Sequence, residues 1–201
     1  MSVEAINGSL MISADAPSVT THDSSLRVSV AGEHSALVEA ARLGDGDAFG
    51  KLYGLYAPMV HGILLARVPW REVDDLVQDV FFLAFQRLRG LRKDSSFGAW
   101  LAMITRNRAV DFHRRSKKVE ELPEDIHDRA RSESEADAER ILEVIRALPE
   151  AYRETLVLRL VEGMTGPEIA ERTGLTPASV RVNLHRGMKL LRESLGMEEE
   201  S

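Results

Sequence analysis

Cysteine is absent from the 201 residues, which excludes disulfides and thiolate metal sites and makes a reducing compartment unremarkable. Long apolar runs are missing too, and nothing approaches the roughly 18 residues that span a membrane. Residues 1–33 lack the basic start and continuous apolar core of a signal peptide. A cytoplasmic protein without membrane insertion is therefore expected. Aromatics are few, with 2 Trp, 3 Tyr and 6 Phe, while aliphatic residues are plentiful, a balance that suits helices. Nor is there the basic excess usual in a nucleic-acid-binding domain, since the net charge is −6. The distribution answers that objection. From Arg87 to Lys118, ten Lys and Arg stand against two acidic residues, Asp94 and Asp111; from Val119 to Glu143, ten Asp and Glu stand against three Arg. Such segregation marks separate surfaces with separate tasks, the plainer alternative being a solvated basic helix beside a solvated acidic linker.

What is present is most explicit between Gly163 and Leu191. Thr165 followed three residues later by Glu168 makes a capping box, so a short helix starts there and turns Ile169 and Ala170 inward. Gly174 can take the left-handed conformation that ends it. Thr176 caps a second helix with Pro177 at its first position, where a missing N–H costs nothing. Val180, Leu184, Gly187 and Leu191 recur at helical spacing as its inner side, while Ser179, Arg181, His185, Arg186 and Lys189 occupy the other faces. This is a helix-turn-helix, whose second helix can enter a major groove. DNA is the first candidate partner.

The rest also reads as helix. Residues 1–33 form a Ser/Thr/Ala-rich flexible extension. Leu37, Val38 and Ala41 make a stripe that stops at Gly44, and Asp47 is the expected cap of a helix carrying Phe49, Leu52, Tyr53 and Tyr56, which Pro58 is expected to break or restart. From Val73 to Leu88 a core stripe of Val73, Val77, Val80, Phe81, Ala84 and Leu88 leaves Asp75, Asp79, Phe82 and Gln86 outside. A phenylalanine among exposed acids points to a partner surface. Gly90 to Ser96 is a basic loop, and a helix over 97–115 turns Trp100, Leu101, Ile104 and Phe112 inward. The acidic stretch from about Pro123 to Asp137 is a linker, with a helix possible at its end. A final domain then starts near Ala138, its hydrophobic face comprising Ile141, Leu142, Ile145, Leu148, Leu156, Leu160 and Val161. The expected fold is all-α: two small helical domains joined by a flexible acidic linker.

Over residues 35–118 and 139–195 the chain resembles the extracytoplasmic-function (ECF, group IV) sigma-70 family of RNA polymerase sigma factors. The segment 37–45, Ala48-Phe49 and Leu52-Tyr53 look like the start of sigma region two; Asp74 through Phe82 resembles the polymerase-binding helix. Phe97 to Leu101, Arg106 to Asp111 and Arg114-Arg115 resemble the segment that engages the −10 promoter element, and Leu148-Pro149-Glu150 with the helix-turn-helix resembles region four. The resemblance implies a flexible extension (1–33), region two (34–118), a linker (119–138), region four (139–196) and a tail (197–201). It implies that Asp75, Gln78, Asp79 and Phe82, with Asp74 at the edge, grip the clamp helices of the largest polymerase subunit. The flap of the second largest subunit, promoter DNA and an anti-sigma factor are the other implied partners.

A chain with no ATPase motif must open the −10 duplex by binding the separated strand better than the closed one. Arginine–phosphate contacts supply affinity and register, and a pocket for an unstacked base offsets an unpairing cost of a few kcal/mol. The expected lining is Arg92, Lys93, Asp94, Ser95 and Ser96, with Arg106, Arg114 and Arg115 on the strand. Asn107 either reads a base or bonds Asp111 one turn on; Trp100 is expected in the core. At the −35 element the expected contacts are Thr176, Ser179, Arg181, Val182, Asn183, His185 and Arg186. Many relatives carry Ser-Arg where this chain has Val182-Asn183, so the −35 sequence does not carry over. Val182 suits a thymine methyl and Asn183 an adenine.

The second reading is a helix-turn-helix regulator that binds DNA without polymerase, which calls for a symmetric dimer on paired half-sites. An enzyme is the alternative of another class. Glu72, Asp75 and Asp79 share a helix face, but the Glu-x-x-His pairs of a di-metal bundle are missing, and the histidines are scattered from His22 to His185. No cofactor and no catalytic residue are expected.

Overall fold

The computed structural model describes residues 33–119 and 133–196. The expected extension up to residue 32, most of the expected linker and the tail at 197–201 lie outside the described residues. Among the described residues all regular structure is helical. Helix α1 covers 33–42, and Gly44, at φ 105°, makes the turn after it. Helix α2 (Gly46–Leu65) is capped by Asp45, whose carboxylate accepts from the N–H groups of Asp47 and Ala48 at 2.9 and 3.0 Å. The expected cap, Asp47, instead sits in the first turn, where its charge suits the helix dipole.

Pro58 does not interrupt α2. Its ring removes one backbone bond, worth about 3 kcal/mol in an isolated helix, but Tyr56, Met59 and Val60 around it are buried and anchor both flanks. The carbonyl left without its donor belongs to Gly54, an exposed residue.

Helix α3 (Val73–Arg87) follows a one-turn 3-10 helix at Trp70–Glu72 and buries the stripe read from the sequence, with Leu76 added. The basic loop contains two further 3-10 turns, Leu88–Gly90 and Asp94–Ser96, and α4 spans Phe97–Val119, longer than expected. Helices α2, α3 and α4 pack mutually into one unit.

The second unit comprises α5 (Glu133–Ala147), α6 (Glu150–Leu160), α7 (Gly166–Thr173) and α8 (Pro177–Ser194). Helix α5 begins inside the stretch read as linker. Ile141, Leu160 and Val161, expected on the inner face, are exposed. Glu154 through Leu158 are instead all buried, five residues in succession. Helix α6 has no single inner stripe because it is packed on α8 on one side and on α2 of the first unit on another.

The two units therefore share one core. Gly62 of α2 lies under Leu158 and Glu162, and a Cβ there would stand 2.7 Å from the leucine methyl. At Gly98 a Cβ would come within 2.6 Å of the Arg172 carbonyl oxygen, so the start of α4 meets the end of α7 backbone to backbone.

Candidate nucleic-acid interface

The outer face of α3 is acidic with aromatics. Asp74, Asp75 and Gln78 are exposed, and Phe82 is 63% accessible. Phe85, one turn on, is 54% accessible and stacks edge-on against Phe49 at 5.0 Å. It belongs to the same surface and was missed in the sequence, although its exposure follows from its place beside Phe82 on the helix. Asp79 is only half free, because Arg108 of α4 pairs with it.

The loop is anchored from α1. Arg42 pairs with Asp94 at 3.0 Å and donates to the Leu91 carbonyl at 3.3 Å. Asp94 thus fixes the loop's shape, and Ser96 closes its turn by donating to the Lys93 carbonyl at 2.7 Å. Arg92, Lys93 and Ser95 are exposed. On α4, Asn107, Arg114 and Arg115 are exposed as well. Asp111 pairs weakly with Arg114 at 3.8 Å, and among the described residues Asn107 makes no hydrogen bond to it. Trp100 is half-buried, tilted against Phe97 at 5.8 Å.

Arg106 has a different environment from its basic neighbours. Its Nε and Nη2 donate to the Glu154 carboxylate of α6 at 3.0 and 2.6 Å. Arg67, at the end of α2, donates to the same carboxylate at 3.0 Å and to Glu150 at 2.5 Å. Glu154 is 5% accessible. Burial pushes its carboxyl up, but the hydrogen bonds and charges of Arg106 and Arg67 prevail and hold it below the ordinary range. The Arg67 hydrogen bond likewise holds Glu150 down. On the other side of α2, His61 Nδ1 meets Glu162 at 2.6 Å, and that hydrogen bond outweighs burial and raises the imidazole pKa. Arg67, Glu154, His61 and Glu162 were not singled out in the sequence. Their partners lie 48 to 101 positions away, beyond any local pattern.

The helix-turn-helix is built as its caps dictate. Thr165 and Glu168 form the reciprocal capping box, Gly174 adopts φ 77° after α7, and Thr176 caps α8 by accepting from Ser179 N at 3.1 Å. The Ser179 hydroxyl also bonds the Thr176 hydroxyl at 2.8 Å, so both expected contacts serve the cap. Val180, Gly187 and Leu191 are buried beneath, and Arg181, Val182, His185 and Arg186 are exposed above. Asn183 is half-buried and lines, with Arg67, Arg106 and Glu154, a cleft of about 380 Å³ between the two units.

Two sequence families match. "Sigma-70 region 2" covers residues 52–119 and "Sigma-70, region 4" covers residues 138–191. The RNA polymerase sigma factor CarQ of Myxococcus xanthus is 32% identical over 79% of this chain and 95% of its own length. The ECF RNA polymerase sigma factor SigD of Mycobacterium tuberculosis is 32% identical over 80% of this chain and 82% of its own. The chain belongs to the ECF sigma factors. Among solved structures, CnrH in complex with the cytosolic domain of CnrY matches this sigma factor with a TM-score of 0.60 and 26% identity, covering 83% of this chain and 99% of that one. The sigma factor RpoE of Bartonella quintana, solved with the anti-sigma factor NepR, shares the fold at 22% identity and a TM-score of 0.50 over 74% of this chain and 95% of that one. Function follows from membership: the sigma factor directs RNA polymerase to promoters and supports initiation there. Among the described residues, no helix is long and apolar enough to cross a membrane.

Proposed function

We propose that the acidic, aromatic face of α3 seats the polymerase, with Asp75, Gln78, Asp79 and Phe82 on the clamp helices of the largest subunit and Asp74 at the edge. Region four, the unit from α5 to α8, takes the flap of the second largest subunit. The loop of Arg92, Lys93, Asp94, Ser95 and Ser96 receives an unstacked −10 base, with Asp94 setting the loop's shape through Arg42. Arg106, Asn107, Arg114 and Arg115 follow the separated strand. Helix α8 reads the −35 element with Arg181, Val182, Asn183, His185 and Arg186, while Thr176 and Ser179 hold its N-terminus toward the backbone. The chain works in the cytoplasm as a specificity factor, without catalysis or a cofactor of its own, and is held in check by an anti-sigma factor, as RpoE of Bartonella quintana was solved with one.

The observation that carries this reading is Phe82, a large apolar side chain left 63% accessible among carboxylates, in a chain that also presents an open recognition helix. Titrating the labelled chain with core polymerase tests it. Wild type binds, and Phe82→Ala loses about 2 kcal/mol of affinity, as a central aromatic anchor should. Undiminished binding by Phe82→Ala would remove α3 from the interface.

A further inference from the structure

Arg67, in the turn that follows α2, and Arg106, on α4, converge on one carboxylate. Both oxygens of Glu154 are used: Oε2 takes Arg67 at 3.0 Å and Arg106 Nε at 3.0 Å, and Oε1 takes Arg106 Nη2 at 2.6 Å. The His113 ring nitrogen Nε2 donates to the Arg67 carbonyl at 2.8 Å and ties the turn after α2 to α4. The buried Nε of Arg67 has no hydrogen-bond partner. Two guanidiniums presenting forked donors to a small anion, with a donor in reserve, are also the arrangement that grips a phosphate. The anion that fills it belongs to region four.

The closed arrangement cannot serve a promoter. Elements at −10 and −35 are about 25 base pairs apart, roughly 85 Å at 3.4 Å per base pair, whereas here Asn183 of the recognition helix and Arg106 line the same cleft. Region four must leave for both readers to reach DNA, and when it leaves it takes Glu150 and Glu154 with it. Arg67 and Arg106, part-buried while docked, then lose their carboxylate partners, and Arg106 lies on α4, the helix assigned above to the −10 strand.

We propose that Arg67 and Arg106 form a binding site for a backbone phosphate of the −10 promoter strand, and that Glu154 occupies it as a built-in competitor while region four is docked. Arg67 becomes a DNA-contacting residue that no sequence pattern indicates. The exchange is one anion for another on the same two guanidiniums, so opening leaves no uncompensated buried charge at the end point. The inference rests on the sigma-factor assignment of α4 to the −10 strand.

Holoenzyme assembled from core polymerase and the full chain, titrated with a fluorescent promoter fragment whose −10 segment is single-stranded, tests the site across a range of salt. Arg67→Gln should weaken binding severalfold and flatten the log-log salt slope by about 0.7, the loss of one single-strand phosphate contact. Arg67→Lys, which keeps the charge, should retain most of the slope. Glu154→Gln should leave holoenzyme binding as in wild type but raise the affinity of the free chain for the same fragment. Wild-type affinity and slope with Arg67→Gln would reduce Arg67 to an interdomain latch and overturn the site. An unchanged free chain with Glu154→Gln would overturn the competition, and this arm holds even if Arg67→Gln folds poorly. Failure of the wild-type holoenzyme to bind the fragment would instead refute the −10 assignment itself, and the site with it.

Discussion

Glu154 and His61 titrate in opposite senses, and together they give the domain contact a pH window. Glu154 and Glu150 are held below the ordinary carboxylate range, so the stability they add is present above about pH 4.3 and is lost as pH falls through their folded values. His61 is raised, so its contribution is complete below about pH 6.5 and is lost as pH rises through its folded value. The radius of gyration measured by small-angle scattering should be smallest between these limits and larger on either side; a value flat with pH would contradict the ion-pair account. The caps behave more simply. Thr165→Ala should cost about 1 kcal/mol of unfolding free energy in a urea titration, because it removes one half of the capping box. Residues of this second kind were legible in the sequence, since Thr165, Gly174 and Thr176 act on backbone a few positions away. Arg42 with Asp94 and Arg67 with Glu154 were not, because 52 and 87 positions separate the partners and nothing local marks either.

Neighbouring residues of one helix separate stability from binding. On α3, Phe81 is buried and Phe82 faces outward. Phe81→Ala should cost about 3–5 kcal/mol in a urea titration, whereas Phe82→Ala should stay within about 0.5 kcal/mol of wild type while weakening polymerase binding. Equal destabilisation by both would place Phe82 in the core. Helix α3 was readable because one side is buried and one is wet, which writes a 3.6-residue period into the sequence. Helix α6 was misread for the opposite reason. With Glu154 through Leu158 all covered, its apolar residues follow no single face, and a pattern-based choice of Leu160 as core came out exposed. Pro58 was misread because tertiary anchoring of Tyr56, Met59 and Val60 is invisible to a local propensity.

At the scale of the whole molecule, two helical units were legible, but their docking was not. The contact relies on close approach, above all at Gly98, where a Cβ would meet the Arg172 carbonyl at 2.6 Å. A backbone oxygen cannot rotate away, so Gly98→Ala should part the units: the radius of gyration should rise while helical circular dichroism is kept. An unchanged radius would show that the docking tolerates a shift of this size. Docking also accounts for an acidic chain that binds DNA. Arg67 and Arg106 are neutralised by Glu150 and Glu154 until region four moves, so the basic surface is fully available only in the open form. This sigma factor gives core polymerase its choice of promoter, on our proposal through two separate readers. The most direct test is reconstituted transcription on genomic fragments with mapped start sites. Discrete starts should require the chain, share sequence at both −10 and −35, and weaken with Phe82→Ala when the chain is limiting. No start with the wild-type chain, together with tight binding to a palindromic site in the absence of polymerase, would contradict the proposal.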